Sequence, residues 1–122
     1  MEQEIFQYRD ELQQRTKLFA LRVIKLYQSI PKTTEAQIIG KQLLRSATSV
    51  GANYRAACRA RSNPEFHSKI SIVIEETDES MFWIEILWET NIIKQELLQN
   101  LYNEGEEILK IMVVSRQNSV KK

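Results

Sequence analysis

Four stretches of the chain repeat one arrangement: apolar residues at steps of three and four, polar residues between them, and a short polar break after each. At about 100° per residue, such spacing gathers the apolar positions into one stripe of a helix. In the first stretch, from about Glu4 to Ser29, Ile5, Tyr8, Leu12, Phe19, Val23, Leu26 and Ile30 share a face. That face is interrupted near Arg15 and Thr16. Pro31 ends the stretch, because the residue before a proline disfavours helix.

The second stretch runs from about Thr34 to Arg61. Thr34 and Gln37 fit a capping box, and Ala36, Ile39, Leu43, Ala47, Val50, Tyr54 and Ala57 form the apolar stripe. Gly40 and Gly51 lie inside it. Each costs about 1 kcal/mol relative to alanine in a helix interior, so close approach of a neighbouring helix is the expected compensation.

The third stretch, from about Pro64 to Glu89, has the plainest start. In Ser62-Asn63-Pro64-Glu65, Asn63 can cap, Pro64 suits the first helical position and Glu65 favours the positive end of the helix dipole. Phe66, Ile70, Val73, Thr77, Met81, Ile84 and Trp88 follow on one face, with Phe82, Trp83, Ile86 and Leu87 outside it. The fourth stretch runs from about Ile92 to Arg116, after a break at Thr90-Asn91. Leu97, Leu101, Ile108 and Met112 define its face, with Gly105 between, and Gln117 to Lys122 are expected to fray.

Helices of about 25 residues span nearly 40 Å at a rise of about 1.5 Å per residue. Near-equal lengths and short breaks predict one all-α domain over residues 1–122, an antiparallel up-down-up-down four-helix bundle. No β alternation competes, and only three glycines and two prolines occur. The single cysteine, Cys58, excludes an internal disulfide and fits a reducing cytoplasm. The polar, acidic start reads as no signal peptide, and no apolar run approaches the roughly 20 residues of a membrane span. A cytoplasmic protein without membrane contact is expected.

The formal net charge of +1 conceals an asymmetry. The second stretch carries Lys41, Arg45, Arg55, Arg59 and Arg61 against Glu35, a net +4. The third carries Glu65, Glu75, Glu76, Asp78, Glu79, Glu85 and Glu89 against Lys69, a net −6. At about 100° per residue, Lys41, Arg45, Arg55 and Arg59 fall within an arc of roughly 80° opposite the apolar stripe, with Thr48 and Ala52. Glu75, Asp78, Glu79, Glu85 and Glu89 share an arc of roughly 120° on the third helix, with Phe82 and Ile86 among them.

Three readings of these strips stand. They are solvated faces; or, since Phe82 and Trp83 add apolar area beyond the core stripe, they dock copies of the chain head to tail; or the basic strip contacts the phosphates of RNA or DNA, with Tyr54 stacking on a base. Catalytic and metal chemistry find little footing. A di-iron bundle needs two Glu-x-x-His motifs, and His67 is the one histidine. Glu75 and Glu79 are one turn apart, where pairing with arginines competes with holding a cation. Cys58 and His67 lack an orienting third group. Gly40-Lys41 is in mid-helix and makes no nucleotide loop. No cofactor, no metal and no enzymatic activity are expected.

The block Leu44-Arg45-Ser46-Ala47-Thr48-Ser49-Val50-Gly51-Ala52-Asn53, within a run that begins at Gln37, is the specific signature. Asn63-Pro64-Glu65-Phe66 and Ile74-Glu75-Glu76-Thr77-Asp78-Glu79-Ser80 follow, with Trp83 and Leu87. Together, and with Phe19 to Ile30 upstream, these resemble the bacterial four-helix-bundle proteins encoded by intervening sequences within 23S ribosomal RNA genes, over about Phe19 to Met112. The resemblance implies a homo-oligomer, a ring of five, with no established activity and no catalytic residues. The accessory variability determinant proteins of diversity-generating retroelements look related. Those are basic pentamers that bind nucleic acid, whereas this chain is nearly neutral with an acidic third helix. The expected role is a non-enzymatic assembly or binding module, with a nucleic-acid accessory factor as the alternative.

Overall fold

The computed structural model describes residues 2–120, with side chains over 7–119. Four helices follow one another: α1 (Glu2–Gln28), α2 (Thr34–Cys58), α3 (Asn63–Glu89) and α4 (Gln95–Val120). Each packs on its chain neighbour, and α4 closes the ring of helices against α1. Contacts run antiparallel across the seams: Tyr27 meets Gln37, and Gly51 lies against Thr16. Ser46 meets Ser80, and Met81 meets Gly105. The expected up-down-up-down bundle is therefore the fold.

The helix ends follow from local chemistry, not always at the expected residue. Thr33, not Thr34, caps α2: its extended backbone turns Oγ1 toward the Ala36 amide at 3.4 Å. Gln37 does not complete a capping box. It donates to the Pro31 carbonyl at 2.9 Å and accepts from the Tyr27 hydroxyl at 2.9 Å, stapling the α1–α2 turn. Ser62, not Asn63, caps α3 by accepting from the Glu65 amide at 3.2 Å. Helix α2 stops at Cys58 because the Arg59 and Ala60 amides drop back to Ala56 and Ala57, tightening the chain for that reversal.

Helix α4 starts three residues later than expected. Asn91 takes a left-handed φ of 61°, its amide bonds Trp88, and the Ile92 amide bonds Leu87. This is a Schellman closure, and the apolar residue it delivers, Ile92, packs on the core instead of opening a helix. At the other end α4 continues to Val120, where fraying from Gln117 was expected. Its last turns are tied to α3, with His67 Nδ1 3.4 Å from Ser119 Oγ and Arg116 donating to Ser71 at 3.4 Å.

The core contains Leu12, Phe19, Val23, Leu43, Ala47, Val50, Tyr54, Ile70, Val73, Ile84, Leu98, Ile108 and Met112. Some expected positions change. Tyr8 is 50% exposed and Leu97 72% exposed, whereas Leu87 and Leu98 are wholly buried. Thr16 does not interrupt the stripe but belongs to it, donating to the Leu12 carbonyl at 2.9 Å with no exposed surface. Ile5 lies outside the described side chains. Both α2 glycines sit where α1 comes closest: a methyl group at Gly40 would lie 2.8 Å from Ile30 Cδ1, and one at Gly51 would touch the Thr16 backbone at 3.4 Å. Among the described residues no helix is long and apolar enough to cross a membrane.

Candidate subunit and nucleic-acid interface

Lys41, Arg45, Arg55 and Arg59 are all exposed. Arg59 is the C-cap of α2, so the strip ends there and Arg61 lies beyond it. Arg45 is committed within its own chain. Its guanidinium donates to Glu76 at 2.9 Å and to Glu79, both on α3. The basic and acidic strips therefore touch inside one bundle at this point. Lys41, Arg55 and Arg59 form no ion pair among the described residues.

On α3, Glu75, Asp78 and Glu89 are exposed, and Glu79 and Glu85 half-buried. Glu79 is the hub: it accepts from the Trp83 indole N–H at 3.0 Å as well as from Arg45. The indole bond, then Arg45, hold its carboxyl below the ordinary value of 4.5. Glu75 and Glu79 are consequently split, Glu79 being held by its own partners while Glu75 faces solvent. Glu85 lies 3.4 Å from the Tyr102 hydroxyl, whose pKa is raised, chiefly by burial and then by that carboxylate. The α3 carboxylates left without a cationic partner among the described residues are Glu75, Asp78, Glu85 and Glu89.

Phe82 is 51% exposed and meets Trp83 edge-on at 4.9 Å. Trp83 is half-buried against the core, and Leu87, read as off the stripe, is fully within it. Only Phe82, and in part Ile86, remain as apolar area on the outer acidic face. Tyr54 is 2% exposed, so no base can stack on it, and burial raises its pKa strongly. Burial also raises the pKa of the Cys58 thiol, the opposite of what an activated nucleophile requires. His67 turns to Ser119.

Three features escaped the sequence reading. The outer face of α1 exposes Leu18 (55%), Leu21 (51%) and Ile24 (36%) at three-residue steps. The signal was present, since none of the three fits the core stripe. Between α1 and α2 lies a groove of about 330 Å³ lined by Ala20, Thr48, Gly51 and Ala52, with Lys17 and Arg55 among its walls. Arg15 reaches across to α4, forking onto Glu104 at 2.7 and 2.8 Å and touching Glu107 at 3.0 Å. These carboxylates raise its already high pKa further.

The same chain can be placed among known proteins. A crystal structure of a protein of unknown function from the S23 ribosomal protein family of Bacteroides thetaiotaomicron VPI-5482 is 32% identical to it. The likeness covers 86% of this chain and 97% of that one, with a TM-score of 0.81. No curated protein matches. The profile of the 23S rRNA-intervening sequence proteins matches residues 10–114. With most of the bundle inside that match, the chain belongs to the 23S rRNA-intervening sequence protein family.

Proposed function

We propose that this protein is a non-enzymatic assembly module that acts as a homo-oligomer, built by contacts between the outer faces of its helices. The observation that carries the reading is the outer face of α3. Phe82 stands half exposed there, beside Glu75, Asp78 and Glu89, which have no cation partner among the described residues. An aromatic knob ringed by unpaired charge is the composition of a protein interface: an apolar centre with a polar rim. The ring of five implied by the sequence resemblance is one closed form such an assembly can take.

The test is the native mass by light scattering at micromolar concentration, read together with the ultraviolet absorbance ratio. A multiple of 14.3 kDa with a protein-like absorbance ratio supports the reading, and a monomer overturns it. Arg45→Glu is a poor probe, because it repels Glu76 and Glu79 of its own chain.

A second reading is favoured by the α1–α2 groove. Lys17 and Arg55 flank small side chains there, leaving room for a phosphate backbone, and Lys41 and Arg59 extend the charge along α2. In this reading the oligomer holds RNA or DNA. Binding would weaken steeply with salt, by about one unit of log–log slope for each phosphate neutralised. A flat salt response removes it.

A further inference from the structure

The sequence reading set the basic strip of α2 against the acidic strip of α3. The structure offers a different mate for α3. From Lys17 to Lys25 the first helix carries three cations (Lys17, Arg22 and Lys25) and no carboxylate. Its outer surface there is Leu18, Leu21 and Ile24. The outer surface of α3 has the inverse composition: Phe82 and part of Ile86, among Glu75, Asp78, Glu85 and Glu89. One is an apolar patch with a positive rim, the other an apolar patch with a negative rim.

Their placement matters as much as their composition. Helices α1 and α3 have no close backbone approach and stand at opposite corners of the bundle, meeting only through side chains at one end, where Arg9 lies over the Phe66 ring at 5.2 Å. One copy therefore cannot join its own two patches. The patches also lie at one height. Gly105 is neighboured by both Met81 and Phe19: a methyl group there would be 3.1 Å from Met81 Cγ and 3.6 Å from Phe19 Cε1. Phe82 follows Met81 on α3. Leu18 precedes Phe19 on α1, and Leu21 lies within a turn of it.

We infer that the α1 patch centred on Leu21 is the docking surface for the Phe82 face of a second copy of this chain. The inference rests on the reading that copies associate and names the surfaces they use. The contact is head-to-tail, because the two faces differ. Pairing α1 patches with each other would bring Lys17 and Lys25 against their own kind, and pairing α3 faces would oppose four carboxylates with four. Equal height lets successive copies join without an axial step, so the contact builds a level ring or row, not a spiral.

The experiment uses two single-face variants of the full chain, Leu21→Glu and Phe82→Lys. Both positions are half exposed, so each variant is expected to keep the wild-type helical circular-dichroism spectrum and a cooperative unfolding transition, lowered only by the loss of assembly. Light scattering should show an assembled wild type and monomers for each variant alone. An equimolar mixture should give a mixed dimer and nothing larger, since each variant keeps one good face and a single intact contact can form. If the wild type is itself a monomer, the association reading falls and this inference with it. If the wild type assembles and both variants keep its mass, association stands but uses other surfaces, and the inference is overturned. If only one variant dissociates, a face pairs with itself, which equally overturns it.

Discussion

The α2–α3 and α1–α4 seams are built from opposite materials. Where α2 meets α3, the backbones come close, and the small Ser46 and Ser80 side chains, both wholly buried, bond each other through their hydroxyls at 2.9 Å. Where α1 meets α4, few backbone positions approach. Phe19 fills the interior, and the Arg15 fork spans to Glu104 and Glu107. Outside that fork a cleft of about 400 Å³ remains, lined by Arg22, Lys25, Leu26, Leu97 and Leu101. Side-chain size sets the spacing of helix axes, and a wide seam is closed by reach where a narrow one is closed by contact.

Removing the filler should have the largest effect. Phe19→Ala is expected to cost about 3–5 kcal/mol in urea unfolding, because a wide seam cannot collapse around the void. A loss below about 1 kcal/mol would mean that α4 closes in and that the spacing is soft.

The second effect separates the two polar links. A double-mutant cycle of Arg15→Met with Glu104→Gln should give a coupling of about 1 kcal/mol that shrinks with added salt, the pair being only partly shielded. The Ser46→Ala and Ser80→Ala cycle should give a coupling of about 0.5–1.5 kcal/mol that salt leaves unchanged, because no charge takes part. Equal salt responses would erase the contrast.

The smallest effect is a pH dependence at the outer edge of the narrow seam. Glu79 has a folded pKa below its ordinary 4.5, so its contribution is complete above that value and is lost as pH falls through the lower folded-state pKa. In a Trp88→Phe background, Trp83 fluorescence should titrate with a midpoint below 4.5. Glu79→Gln should abolish that titration. A midpoint above 4.5 would contradict the Trp83–Glu79–Arg45 link.

The same contrast explains how far the fold was legible from residue spacing. Apolar steps of three and four fixed four helices and most of the core, because a stripe identifies its face wherever a neighbour covers all of it. Tyr8 and Leu97 were misread for different reasons. Tyr8 lines an open pocket at one end of the bundle with Tyr54, Phe66 and Ser115, and Leu97 lies beside Leu26 of α1 at the α1–α4 seam, where the helices stand too far apart to cover it. Leu98, one residue on, is wholly buried. Spacing alone cannot separate steps of three from steps of four before the neighbour's distance is known. The caps slipped by one residue at Thr33 and Ser62, because several adjacent side chains can take that bond. Of the charged strips, spacing gave the faces. It could not show that Arg45 would be claimed by Glu76 and Glu79 of its own chain, since that depends on how α2 and α3 are turned toward each other.

The wide seam is also the one between helices that are far apart in the chain. Every close seam joins consecutive helices through a short turn, one of them locked by the left-handed Asn91. Loop entropy therefore favours closing the hairpins before the α1–α4 meeting, which spans most of the chain. Such an order would favour fast folding, with the docking of the outermost helices, at the open cleft beside Leu97, as its least supported contact.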